Sequence, residues 1–158
     1  MIALPRTVPG ILALTLRVLL GALFIWTGWI KTHDPIGFLS NIRSFHLLED
    51  PYAAWVAMGL PWLEIAAGTA LVTGLCVEGG LVIIAGMLAA CLWAIIYSMQ
   101  RGLDISCGCF GGDAASSDYA ELITRDVTLL VVALTLLAHR WWTPRTPRPA
   151  PRGLKTEL

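Results

Sequence analysis

The chain has 158 residues, of which 56% are hydrophobic and only 14% charged, and its formal net charge is zero. This length has room for one domain, and so large an excess of apolar over charged residues excludes the soluble globular class. Four stretches are apolar enough to cross a hydrocarbon core about 30 Å thick as helices. They are residues 11–30, residues 60–75 with their flanks, residues 81–99, and residues 122–138 with their flanks. The composition predicts an all-α membrane protein, a bundle of four transmembrane helices.

The first predicted span is a permanent one, because it is too long and too poor in a small-residue cleavage site for a cleaved signal peptide. Five of its residues recur at spacings of three and four and therefore share one helical face: Arg17, Gly21, Phe24, Gly28 and Lys31. We expect that face to point into the bundle, because small residues let helices approach closely in lipid.

Between the first two spans, residues 32–59 mix charged and apolar side chains in a pattern that predicts a short amphipathic helix at the membrane interface. Pro61 is expected in the first turn of the second span, where a proline loses no helical hydrogen bond. Small residues then recur every four positions in the second and third spans, which predicts two stripes that pack helix on helix. The stripes are Ala66, Ala70 and Gly74, and Gly86, Ala90 and Ala94.

Basic residues set the predicted orientation. Six lie on the side of the termini and four on the other side, so the positive-inside rule places both termini in the cytoplasm. Residues 1–142 are then expected to form one four-helix domain, and residues 143–158, which are rich in proline and arginine, a disordered cytoplasmic tail. The loop between the third and fourth spans lies outside the cytoplasm in this topology, where disulfides form and persist.

That loop contains a run, Ser106 to Gly111, in which Cys107 and Cys109 are separated by Gly108. A disulfide between residues two apart closes a tight ring, and strain makes such a bond easier to reduce. The pair therefore favours thiol-disulfide exchange over structural cross-linking. Two inert thiols or a partial metal site are the alternatives, but the loop lacks the four ligands of a zinc site and we predict no metal. Cys76 and Cys91 are expected to be small buried apolar residues.

Ionisable side chains cluster at the expected depth of these cysteines. Lys31, Glu64, Arg125 and Asp126 all fall toward the outer side of their spans. In one interpretation Glu64 neutralises Lys31 or Arg125 and fixes the helix register. In the other, a cation lowers the pKa of a cysteine while a carboxylate relays protons. Both remain open from the sequence.

Two other functions compete with exchange. The chain could be a non-catalytic scaffold that recruits a soluble redox partner through its outer loop. Alternatively, the bundle could hold a quinone or another small molecule in a buried pocket lined by Arg17, Phe24 and Trp93, since charged residues inside spans usually face the bundle interior. The composition gives no reason to expect a nucleic-acid partner.

Over residues 17–135 the chain resembles the MauE group of the DoxX-like family of bacterial four-helix membrane proteins. The resemblance rests on the shared face of the first span, Leu60-Pro61 with Glu64, Gly68 and Gly74, the Cys-Gly-Cys-Phe-Gly run after Arg101-Gly102, and Arg125-Asp126. It implies a protein of the bacterial inner membrane that helps to mature the small, disulfide-rich subunit of periplasmic methylamine dehydrogenase with a thioredoxin-like partner. It also suggests similarity to quinone-linked thiol oxidoreductases of the vitamin K epoxide reductase type, whose Cys-x-x-Cys pair this chain lacks.

Overall fold

The computed structural model describes residues 8–102 and 119–142, and the described chain is helical with short turns. The helices are α1 (Val8–His33), α2 (Pro35–Ser44), α3 (Tyr52–Thr73), α4 (Val77–Gln100) and α5 (Tyr119–Trp142). The run Ser106 to Gly111 and the expected tail, residues 143–158, lie outside the described residues.

Four of these helices are long and apolar enough to cross a membrane: α1, α3, α4 and α5. The predicted all-α class and four-span architecture are therefore confirmed. Each long helix exposes bulky apolar side chains on its outer surface, such as Trp26, Trp62, Val82 and Leu134. Those surfaces fit a hydrocarbon solvent, which does not penalise exposed apolar groups as water does.

The second span begins earlier than expected, and the placement of Pro61 in its first turn is wrong. Helix α3 starts at Tyr52, directly after Pro51, so Pro61 lies inside the helix. A proline there removes one backbone hydrogen bond, a loss that neighbouring helices offset in membrane proteins. Here Pro61 is buried, and its carbonyl oxygen lies 2.8 Å from where a Cβ on Gly28 would be. Pro61 therefore lies in the close contact between α1 and α3.

The expected amphipathic segment forms the short helix α2. Asp34 caps its N-terminus by accepting a hydrogen bond of 2.9 Å from the backbone N–H of Gly37, and Pro35 occupies the first turn. One side of the helix buries Phe38, whereas Ile36 on the other side is 80% exposed. The helix packs on α1 and α3.

The long helices run antiparallel in chain order. Gly21 of α1 faces Gly68 of α3, and Gly28 faces Pro61 farther along, which fixes the antiparallel register of these two helices. The connection between α3 and α4 is a tight turn in which Gly74 adopts φ +80°, a conformation that favours glycine. We call the end where α1 begins and α5 finishes the terminal end. The other end, which carries α2, is the α2 end.

Contact between helices follows one of the predicted faces but not the two stripes. The α1 face is confirmed: Phe24 and Lys31 are each 4% exposed, and Gly21 touches the α3 backbone. In α3 the buried residues include Pro61, Glu64 and Leu71, whereas Ala66 of the expected stripe is exposed. Gly86 of α4 faces open space. Because α3 approaches α1 through Gly68, the expected stripe is displaced from the contact.

Candidate functional site

A buried ion pair links α1 and α3 near the α2 end. Lys31, two residues before the end of α1, donates a hydrogen bond from Nζ to Oε1 of Glu64, and each residue is 4% exposed. Of the two partners expected for Glu64, the structure selects Lys31. Lys31 lies near the end of α1, whereas Glu64 lies near the middle of α3. The two residues meet because α3 begins beyond the end of α1 and passes beside α2.

Phe38 of α2 covers this pair. Its ring centroid lies 5.0 Å from Lys31 Nζ, within the range of a cation–π interaction, and Phe38 itself is 6% exposed. Within the described part of the chain, the second oxygen of Glu64, Oε2, is buried without a hydrogen-bond donor. The pair is thus buried beside an aromatic ring, and one carboxylate oxygen has no hydrogen-bond donor among the described residues.

A second pair of charged residues lies in the first third of α5. Asp126 is 1% exposed, and Arg125 Nη2 lies 3.4 Å from its Oδ1, while the Arg125 side chain keeps 32% of its surface exposed. Arg125 also borders an open groove along α5. The groove is lined by Ala120, Glu121, Thr124, Arg125, Thr128 and Leu129. Arg125 is therefore accessible from outside the bundle, unlike Lys31.

The four charged candidates all lie toward the α2 end of the bundle. Cys107 and Cys109, the predicted redox pair, fall outside the described residues. The two ends of the segment that contains them are described: α4 stops at Gln100 and is followed by Gly102, and α5 begins at Tyr119. Both ends are at the α2 end, the same end as the Lys31–Glu64 pair.

The three residues expected to line a buried pocket do not form one wall. Phe24 is 4% exposed and belongs to the apolar core. Trp93 is 61% exposed and stacks on Tyr97 with ring centroids 5.5 Å apart, so it faces the surroundings of the bundle. Arg17 is half-buried and reaches toward Gly74 at the terminal end. The exposure of Trp93 does not fit the pocket interpretation.

Sequence reasoning missed two buried residues and wrongly expected one thiol to be buried. The cover formed by Phe38 was not foreseen, although Asp34-Pro35 is a recognisable helix start that points to α2. Ser98, fully buried near the end of α4, carries no signal in an apolar sequence. Cys76, expected to be buried, is exposed because it precedes α4 in the turn at the terminal end.

Comparison with known proteins decides the family. The family model described as "Methylamine utilisation protein MauE" matches residues 9–139, which include nearly all of the four long helices and the Lys31–Glu64 and Arg125–Asp126 pairs. The chain belongs to the MauE family. The family and the four apolar helices together indicate a multi-pass membrane protein.

A curated relative agrees with this assignment. The "Methylamine utilization protein MauE" of Paracoccus denitrificans is 29% identical over 122 residues, which cover 77% of this chain. The same alignment covers 66% of the Paracoccus protein, so this chain spans just under two thirds of the relative it matches. No solved structure matches the chain.

Proposed function

We propose that this MauE family member takes part in methylamine utilisation as a membrane-bound thiol-disulfide exchange protein that uses Cys107 and Cys109. Its client would be a disulfide-containing extracytoplasmic protein, with the small subunit of methylamine dehydrogenase as the candidate that family resemblance suggests. A thioredoxin-like protein would be its redox partner. The protein would lie in the bacterial inner membrane with both termini in the cytoplasm and the cysteine loop outside.

The observation that carries this proposal is the position of the loop's two ends. Gly102 and Tyr119 are at the α2 end, where the charged side chains of the bundle interior also gather. Cys107 follows Gly102 by five residues, so chain connectivity keeps its Cα within about 18 Å of Gly102. The thiols are therefore tethered to the end of the bundle that carries cations and carboxylates.

The geometry divides the charged residues between two roles. Lys31 forms a buried ion pair with Glu64 and contacts the ring of Phe38. This burial favours a structural role for the pair. Arg125 is partly exposed and lies only six residues into α5, so it is the better candidate to stabilise a thiolate. Asp126, which contacts Arg125, is only 1% exposed and is therefore no more accessible to a thiol than Glu64 is. We therefore assign the stabilisation of a thiolate to Arg125 rather than to Lys31, and the proton acceptor is either Glu64 or Asp126.

The proposed reaction is a pair of thiolate displacements. The thiolate of one cysteine attacks a disulfide in the client, forms a mixed disulfide and releases one client thiolate. The other cysteine then attacks the mixed disulfide, which releases the second client thiolate and leaves Cys107 joined to Cys109. The client is reduced by two electrons and the pair is oxidised by two. Run in reverse, the same steps oxidise the client.

Serine substitution tests the proposal through client maturation. The methylamine dehydrogenase small subunit is co-expressed with wild-type protein, Cys107→Ser or Cys109→Ser, and its correctly disulfide-bonded fraction is measured after alkylation. We expect each variant to lower the rate of maturation by about tenfold or more, because exchange through a single thiol cannot be resolved internally. Cys76→Ser, which changes an exposed thiol at the terminal end, is the matched control.

The same experiment separates exchange from the scaffold alternative. If both loop variants mature the client at the wild-type rate, thiol exchange by this chain is wrong and recruitment without chemistry is favoured. If Cys76→Ser is as defective as the loop variants, the effect does not belong to the Cys-Gly-Cys pair.

A further inference from the structure

Arg17 is a charged residue inside a membrane span at the terminal end, away from the proposed thiol chemistry. It lies seven residues after Gly10, where the first span begins. Its Nη2 atom lies 3.5 Å from where a Cβ on Gly74 would be, so the side chain extends toward the turn between α3 and α4. This direction follows the general tilt of helical side chains toward the N-terminus and brings the guanidinium closer to the membrane surface.

The guanidinium of Arg17 is not fully satisfied by the residues that the structure describes. A guanidinium carries five N–H donors. Nevertheless, across residues 8–102 and 119–142 Arg17 makes no hydrogen bond or ion pair, and its Nε atom is buried without an acceptor. Charged side chains in a span normally pair with one another or with backbone carbonyls because their burial in hydrocarbon is costly. Among the described residues, Arg17 therefore lacks the partner that its position requires.

The neighbouring charge makes the imbalance larger. Arg140, a second positive charge, is exposed in the last turn of α5 at the terminal end. Helices α1 and α5 are in contact, so the two arginines belong to adjacent helices at the same end of the bundle. Glu78, in the first turn of α4, is a carboxylate at that end. Two arginines thus lie at the terminal end on helices that contact each other.

We propose that Arg17 and Arg140 bind the phosphate of an anionic phospholipid in the leaflet at the terminal end. Guanidinium groups match phosphate oxygens through paired N–H donors, and the missing side chain of Gly74 leaves space beside Arg17. Basic sites between transmembrane helices are suited to anionic headgroups because they combine charge with access from the lipid. This inference does not rest on the proposed function.

Native mass spectrometry of the full chain in detergent tests the site. Phosphatidylglycerol, phosphatidylcholine and inorganic phosphate are titrated separately against wild-type protein, Arg17→Gln, Arg17→Lys and Arg140→Gln. We expect wild-type protein to prefer phosphatidylglycerol, each Gln variant to bind it about fivefold more weakly, and Arg17→Lys to fall between. Arg101→Gln is the control, since Arg101 is an exposed arginine at the α2 end.

Three results would overturn the proposal. The first is equal affinity of wild-type protein for phosphatidylglycerol and phosphatidylcholine. The second is unchanged phosphatidylglycerol binding in Arg17→Gln, or in the exposed Arg140→Gln if Arg17→Gln fails to fold. The third is binding of inorganic phosphate as tight as that of phosphatidylglycerol, which would assign the arginines to a free anion instead of a lipid.

Discussion

Removing either partner of the Lys31–Glu64 pair should destabilise the bundle by about 3–5 kcal/mol, because the remaining charge would be left buried and uncompensated. We expect Glu64→Leu and Lys31→Met each to show this loss. The double variant should recover most of it, since two apolar side chains of similar volume need no partner in the interior. The free energy of unfolding, measured in detergent micelles by denaturant titration, gives the three values and their coupling.

The matched control is the exposed pair on the same side of the protein. Arg43 Nη2 lies 2.6 Å from Asp50 Oδ2, and both side chains are more than half exposed. Arg43→Met should therefore cost less than about 1 kcal/mol. Additive losses in the Lys31→Met/Glu64→Leu double variant, with no recovery, would contradict the interpretation of the buried pair as a mutually dependent unit.

Gly68→Ala should destabilise the protein by about 1–3 kcal/mol, because overpacking forces the α1–α3 contact apart. A Cβ at Gly68 would lie 2.6 Å from the carbonyl oxygen of Gly21, and one at Gly21 would lie 2.8 Å from that of Gly68. Both obstacles are backbone atoms, so no side chain can rotate away. The added methyl group can be accommodated only by moving one helix relative to the other. Thermal unfolding followed by circular dichroism in micelles measures the change.

Gly86→Ala provides the control for this prediction. Gly86 also lies within a transmembrane helix, but a Cβ there would have no neighbour within 4 Å. Its substitution should change stability by less than about 1 kcal/mol, with helix propensity favouring alanine. Equal effects at Gly68 and Gly86 would show that the loss of glycine itself, rather than the close approach of α1 and α3, controls stability.

The sequence was most informative where its pattern had only one structural solution. Arg17, Gly21, Phe24, Gly28 and Lys31 repeat at helical spacing, and small or charged residues in a span seek protein neighbours rather than lipid. The buried face of α1 follows from that pattern alone. The gathering of Lys31, Glu64, Arg125 and Asp126 toward one end of the bundle follows from their positions in antiparallel spans.

The orientations of α3 and α4 could not be predicted in the same way. Both helices are apolar around most of their circumference. In lipid a bulky apolar side chain is as stable outside the bundle as inside, so hydrophobicity does not distinguish the two faces. For this reason the sequence did not show that Trp93 lies on the outer surface or that Gly86 faces open space. The choice of Lys31 over Arg125 as partner of Glu64 likewise depends on helix register, which no single span encodes.

The contact between α2 and Lys31 could not be predicted from the sequence for a related reason. Asp34 and Pro35 mark where the helix starts, but the angle at which it returns to the bundle depends on its contacts with α1 and α3. The ring of Phe38 covers the ion pair only because of that angle. A three-dimensional contact of this kind leaves no periodic signal in the chain.

Covalent capture of a client tests the central claim, thiol exchange through Cys107 and Cys109, most directly. Cells expressing Cys107→Ser or Cys109→Ser are quenched with acid and alkylated, and membrane proteins are resolved without reductant and identified by mass spectrometry. We expect one of the two variants to accumulate a reductant-sensitive mixed disulfide with an extracytoplasmic protein, since the resolving cysteine is missing. The absence of such an adduct in both variants, with the remaining loop cysteine recovered as an unmodified thiol, would contradict the account.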